Sequence, residues 1–184
     1  DWKARKTPIR IIDCGSGNGY LSFAMYHFFQ EILGKEVFLT GIDIDAGSIE
    51  RSRTRVTSLG WENINFEVGN ILGHTLEQEP DIVLALHACD NATDEAFMKG
   101  ITENAKHIIA VPCCQQDLQK RMKKEDLHPL LKSYTKHKII KERICDLTTD
   151  TFRSMLLELH GYDCQVLQYI STEHTAKNIM IKAS

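Results

Sequence analysis

The chain has 184 residues, 42% of them hydrophobic and 26% charged, with a formal net charge of −3. That length suits a single domain with a core of its own, and the composition is neither that of a disordered or fibrous chain nor that of a uniformly basic nucleic-acid-coating protein. No apolar run approaches the ~20 residues of a membrane span.

No secretory leader pattern opens the chain, and no initiator Met stands at position 1, so a fragment of a longer protein is one expectation. The six cysteines are Cys14, Cys89, Cys113, Cys114, Cys145 and Cys164, several of them in apolar runs. Reduced thiols in a cytoplasmic compartment, with no membrane partner, are the expectation. Charge is unevenly spread. From Lys120 to Arg143 there are nine Lys and Arg against three Asp and Glu, so the remainder carries −9. Taken alone, such a run reads most simply as a solvated helical surface; the sharper reading is a positive face for an anionic substrate.

In chain order, residues 9–14 form an Ile-rich run that predicts a buried strand. A helix follows from Ser16 or Asn18, with Leu21, Phe23, Ala24, Phe28 and Leu33 on its apolar side and Gly34 as its stop. Strands are predicted over 36–45, 63–71, 81–90 and 107–114. Helices are predicted over 47–59, closed by Gly60, and over 93–102, with Thr93 as N-cap. Residues 115–134 read as basic helix broken before Pro129. A firmer helix covers 149–162, and two closing strands, DCQVLQYIS and AKNIMIKA, read as an antiparallel hairpin with a short turn. The order predicts an α/β fold with a mainly parallel sheet covered on both faces, and ligands in such sheets bind beyond the carboxyl ends of the strands.

The stretch DCGSGNG (Asp13–Gly19) lies at the first of those ends. A dinucleotide loop of the form G-x-G-x-x-G places its third glycine where Tyr20 stands, and a Walker loop needs a lysine that is absent. Both phosphate readings fail on spacing. Asp13, directly before the loop, opposes a pyrophosphate and favours a ligand with positive charge. S-adenosylmethionine carries a sulfonium and an ammonium and no phosphate. Asp43, ending the second strand, can accept from both ribose hydroxyls. Asn70, after the third, can face the adenine amino group through its carbonyl oxygen, with Ile44 and Ile71 against the flat faces of the base.

With these motifs in order, DCGSGNG, GIDID and VGNI, the chain resembles the class I, seven-strand, Rossmann-like S-adenosylmethionine-dependent methyltransferases over nearly its whole length. The resemblance implies a three-layer sandwich whose last strand is reversed. It implies cofactor contacts from Asp13, Gly15, Ser16, Gly17, Gly19, Tyr20, Asp43, Ile44, Asn70, Ile71 and His87, and S-adenosylhomocysteine as product. Asn70 departs from the acid many members carry. The segments LHACDNATDEAF, VPCC and EHTAKNIMI resemble one subfamily, related to the domain of tRNA 2′-O-ribose methyltransferases. That relation and the Lys120–Arg143 charge make RNA the expected acceptor. A non-catalytic partner subunit, or methylation of a protein or small molecule, is the alternative.

His87 and Asp90 end the fourth strand and Cys113 the fifth, which makes these three the catalytic candidates. His87 or Asp90 can orient or deprotonate an acceptor, although His87 can equally lend only its backbone to the cofactor. Cys113 as a covalent nucleophile and a zinc site of His87, Cys89, Cys113 and Cys114 are weaker readings. Neighbouring strand side chains point to opposite faces, which leaves too few ligands, so no metal is expected. In the closing hairpin, His174, Thr175, Lys177 and Asn178 line the acceptor side or form an exposed loop. Arg153 and His160 read as solvated helix face, and Trp61 as a packing residue.

Overall fold

The structure is a computed structural model that describes residues 2–86, 88, 91–123, 125, 127–175 and 177–184. Seven strands form one sheet in the order β3-β2-β1-β4-β5-β7-β6. They are β1 (Ile9–Cys14), β2 (Val37–Asp43), β3 (Ile64–Val68), β4 (Ile82–Leu86), β5 (His107–Val111), β6 (Cys164–Gln168) and β7 (Ile179–Ala183). The first five pair in parallel; β7 runs antiparallel to both β5 and β6. This is the Rossmann-like sheet with a reversed last strand that the motif order implied.

Alternation along each strand feeds two cores. Ile9, Ile11, Val37, Leu39, Ile64 and Phe66 pack with Tyr26, Phe29 and Ile49, from α1 (Tyr20–His27), the π-helical turn Phe28–Ile32 that extends it, and α2 (Ala46–Leu59). Ile12, Cys14, Ile42, Val83, Ala85, Ile108 and Ile181 face the other way, onto α3 (Asn91–Thr102) and α6 (Lys138–Leu159). The short helices α4 (Gln116–Arg121) and α5 (Pro129–Tyr134) lie between β5 and α6 in sequence. Trp61 stacks on Tyr26 with ring centroids 4.7 Å apart, the packing role read for it.

Several boundaries differ from the sequence reading. α1 begins only at Tyr20, because Gly19 takes a left-handed φ of 72° and turns the chain into the helix. Thr93 lies inside α3 rather than capping it; its hydroxyl donates back to the Ala88 carbonyl. In place of one broken helix there are two short ones, Gln116–Arg121 and Pro129–Tyr134, with Pro129 opening the second. The helix expected over 149–162 begins at Lys138 and stops at Leu159. Its first half was hidden by a run of charges and β-branched isoleucines, poor helix signals, yet Cys145 on that half is fully buried. The connection from β6 to β7 occupies residues 169–178 and is not a short turn. Arg153 is corrected outright: it is 4% exposed and belongs to the interior, whereas His160 is exposed as expected.

Candidate active site

Register sets the strand ends in line. Asp13 pairs with Gly41, Asp43 with Val68, and Leu86 with Val111. The strand order reverses between β1 and β4, the place where open parallel sheets hold ligands. There a cleft of about 380 Å³ is lined by Gly15, Ile42, Asp43, Ile44, Gly69, Asn70, Ile71, Ala88, Ala92 and Glu95.

The glycine loop reaches this cleft through Gly15; Asp13, Ser16, Gly17 and Gly19 stand behind it, outside the lining. Gly15, Gly17 and Gly19 all have positive φ, which explains three glycines in five residues. A side chain at Gly19 would also meet the Phe66 ring at 2.7 Å. The loop is clamped from both sides. The Gly17 N–H donates to Asp43 Oδ2 at 2.8 Å. From α2, Arg51 Nε donates to the Asn18 side chain at 2.9 Å and Arg55 to the Asn18 carbonyl at 2.8 Å. Asp43 Oδ1 accepts from the Asp45 N–H at 2.8 Å, and Asp45 caps α2 through Gly47 and Ser48. Each Asp43 oxygen thus accepts one backbone N–H and keeps a lone pair for a further donor. This suits a vicinal diol, the donor pair of a ribose.

Apolar walls complete the cleft. Ile44 is 80% exposed at its mouth and Ile71 is buried at its base, opposed by Ala88 and Ala92. Asn70 behaves differently from the sequence reading. Its side-chain carbonyl accepts from Leu72 N–H at 2.9 Å and Gly73 N–H at 3.3 Å, forming a turn. The amide nitrogen, a donor, is the group it leaves for a ligand, suiting a ring nitrogen rather than an amino group.

Asp13 is buried beneath the loop, on the face of α1, where Ser22 Oγ donates to it at 2.5 Å. Burial pushes its carboxyl up to about 6, against the lowering effect of the Ser22 hydrogen bond and with help from the negative charge of Asp43. Ser16 Oγ, also buried, has no hydrogen-bond partner among the described residues. Tyr20 is 71% exposed beneath the Arg55 guanidinium and outside the cleft lining. His87 and Asp90 lie outside the described residues, as does Cys89 of the weighed zinc set.

A second, polar cleft of about 230 Å³ opens at the end of β5, lined by Cys113, Cys114, Gln115, Gln116, Gln119, Lys138, Glu142, Asp146 and Lys177. The sulfurs of Cys113 and Cys114 lie 3.7 Å apart, and neither is disulfide-bonded. Lys177, from the closing hairpin, donates to Asp146 and, at 3.1 Å, to Gln115 Oε1. Gln115 is buried and donates in turn to Asp150 at 3.1 Å; Arg153 bonds Asp150 at 3.0 Å and Asp94 on α3 at 2.7 Å. This chain of contacts ties the hairpin, the tip of β5, α6 and α3 together. Of the other hairpin candidates, Asn178 is buried and donates to the Ile170 carbonyl, and His174 is exposed. Arg153→Met is expected to destabilise the fold by about 3 kcal/mol at pH 7, since it strands a buried carboxylate. Burial already raises the Asp150 carboxyl above its usual range against the Gln115 and Arg153 bonds. Without Arg153 it rises further, so urea melts at pH 5 should show a smaller loss than those at pH 7.

Gly69 and Ala88 lie at strand ends that the parallel order marks as ligand-binding, but sequence reasoning missed Ala92 and Glu95 in the first cleft and Gln115, Gln116, Gln119, Glu142 and Asp146 in the second. Ala92 and Glu95 stand three apart on α3, so a helical face was visible but not what it faces. Among the described residues, no group of three or more His, Cys, Asp or Glu is placed to hold a metal ion, and no helix is long and apolar enough to cross a membrane.

The family model described as "Methyltransferase domain" matches residues 1–121. The chain belongs to that methyltransferase family. Among solved structures, this methyltransferase domain is similar to an rRNA methylase from Streptococcus thermophilus, 11% identical over 100% of this chain and 90% of that one, with a TM-score of 0.57. It is similar to precorrin-6y C5,15-methyltransferase from Geobacter metallireducens, 14% identical over 99% and 83% of the two chains, TM-score 0.57. Magnesium protoporphyrin IX methyltransferase from Synechocystis, with S-adenosylmethionine bound, is 13% identical over 96% and 69%, TM-score 0.53. At such identities the likeness is one of fold. No curated protein matches the chain.

Proposed function

We propose that this methyltransferase transfers the methyl group of S-adenosylmethionine to RNA. The cofactor, when bound, supplies an activated methyl on a sulfonium, and the chain's residues fit it. Asp43 receives the ribose diol, Ile44 and Ile71 flank the adenine, and the Asn70 amide meets the ring edge. Gly15, Ser16, Gly17 and Gly19 bring the backbone close to the methionine part, over the negative charge of Asp13. Tyr20 opens α1 beside that loop. His87, Asp90 and Cys113 remain the candidates for orienting or deprotonating the acceptor, because β4 and β5 are neighbours and their tips flank the place where the methyl is delivered. The resemblance of LHACDNATDEAF, VPCC and EHTAKNIMI to a subfamily related to tRNA 2′-O-ribose methyltransferases carries the same expectation of an RNA acceptor.

One observation carries the choice of RNA. One cation of the exposed basic segment Lys120–Arg143 stands at the polar cleft. Lys138 lines that cleft, and Lys120 stands on α4 one helical turn from its lining residue Gln116, while Arg121 pairs with Asp117. Cations at the acceptor side suit a phosphate backbone. The test is transfer of label from tritiated S-adenosylmethionine into fractionated cell RNA, protein and small molecules. Label in RNA is expected; label confined to protein or metabolites sinks the RNA reading. Cofactor binding without transfer to any pool points instead to a non-catalytic partner subunit.

A further inference from the structure

The polar cleft has two kinds of wall. Gln115, Asp146 and Lys177 are committed to one another and, through Asp150 and Arg153, to the body of the fold. Gln116, Gln119, Lys138 and Glu142 line the same space, and their side chains make no hydrogen bond or ion pair among the described residues. A rigid floor therefore underlies four uncommitted polar groups: two amides, one ammonium and one carboxylate.

That set has a definite complement. A primary amide presents a donor and an acceptor side by side, the arrangement that pairs with the edge of a nucleobase. A carboxylate accepts from an exocyclic amino group, and an ammonium meets a phosphate as a point charge. A purely anionic acceptor would leave the amides and Glu142 unmatched. A paired base has its hydrogen-bonding edge occupied, and side chains cannot read the deep, narrow major groove of an RNA helix. An enzyme reading a base's pairing edge therefore needs the base unstacked and unpaired.

We infer that this cleft admits a single unpaired nucleotide of the RNA strand, with Gln116 and Gln119 on the base edge, Glu142 within reach of an exocyclic amino group, and Lys138 on the phosphate. The inference rests on the RNA reading above and adds to it the state of the acceptor and the residues that select it. Cys113 and Cys114 line the same cleft at the end of β5, next to β4, whose continuation through Ala88 walls the cofactor cleft.

The test uses the full chain with tritiated S-adenosylmethionine. Total RNA is labelled, the labelled fragment is mapped, and that sequence is offered as a single strand or annealed to its complement. The wild type is expected to prefer the single strand by at least roughly tenfold. Gln116→Ala/Gln119→Ala is expected to raise KM for RNA about tenfold or more while kcat and S-adenosylhomocysteine affinity hold, a split that general loss of structure would not give. Lys138→Gln is expected to lower the salt dependence of RNA binding by about one phosphate contact. Equal labelling of single and annealed strands, or an unchanged KM in the double variant, overturns the inference and leaves RNA as acceptor. No label in any RNA from the wild type overturns the RNA reading and this inference with it.

Discussion

Asp43→Ala is expected to weaken S-adenosylmethionine binding by roughly 100-fold or more, as read by calorimetry, and to remove the thermal shift given by S-adenosylhomocysteine. The size follows from what the carboxylate does at once. It would accept from two ribose hydroxyls, and hydrogen bonds to a charged acceptor contribute about 1.5–3 kcal/mol each. It also accepts from the Gly17 N–H and so holds the glycine loop against the end of β2. Alanine removes the ligand contacts and releases the loop together. Asp43→Asn separates the two effects. One amide oxygen still serves one backbone N–H, but the NH2 group faces a donor where the second oxygen accepted. The Asn variant should therefore bind with intermediate affinity. The protein without ligand should also melt lower in Asp43→Ala, which frees the Gly17 and Asp45 N–H groups, and less so in Asp43→Asn, which keeps one acceptor oxygen. Unchanged affinity in Asp43→Ala would place the nucleoside elsewhere.

What the sequence revealed follows from where its signals are local. Buried parallel strands announce themselves as short apolar runs, and β1 has the bounds read for it, Ile9–Cys14. The glycine loop was legible because positive φ at three positions tolerates little but glycine. Arg153 was misread because its partners are invisible along the chain: Asp94 stands 59 residues away on another helix. An arginine one helical turn from an aspartate looks like any solvated pair until a third element closes over both. The Asn70 carbonyl was assigned to the ligand, whereas an Asn followed by a tight turn uses that oxygen on its own backbone. The polar cleft is harder still to foresee, since its lining comes from the tip of β5, α4, α6 and the hairpin loop, brought together only by the reversal of β7.

Asp13→Asn is expected to stabilise the protein without ligand at pH 7 while weakening cofactor binding, a pairing that distinguishes a functional carboxylate from a structural one. The carboxyl ionises at about 6 in the fold, above the ordinary 3.8, chiefly through burial. The folded state therefore holds a proton between those values that the unfolded state has lost. The contribution of Asp13 to stability is complete below about 3.8 and disappears as pH rises through about 6. By pH 7 an ionised, buried Asp13 costs the fold up to about 3 kcal/mol. Asparagine keeps an acceptor for Ser22 and carries no charge, so its gain in urea melts should be near that limit at pH 7 and vanish near pH 4. The opposite holds for the cofactor. A cationic ligand over the loop favours the ionised form, draws the pKa down and expels a proton on binding. Calorimetry of S-adenosylmethionine binding to the wild type near pH 6, in buffers of different ionisation enthalpy, should show that release. The Asn variant should show none and bind about tenfold more weakly. Stabilisation at pH 7 with undiminished affinity would mean that Asp13 shapes the loop without attracting the cofactor's charge, and the preference for a cationic ligand would then rest on the cleft around Asp43 alone.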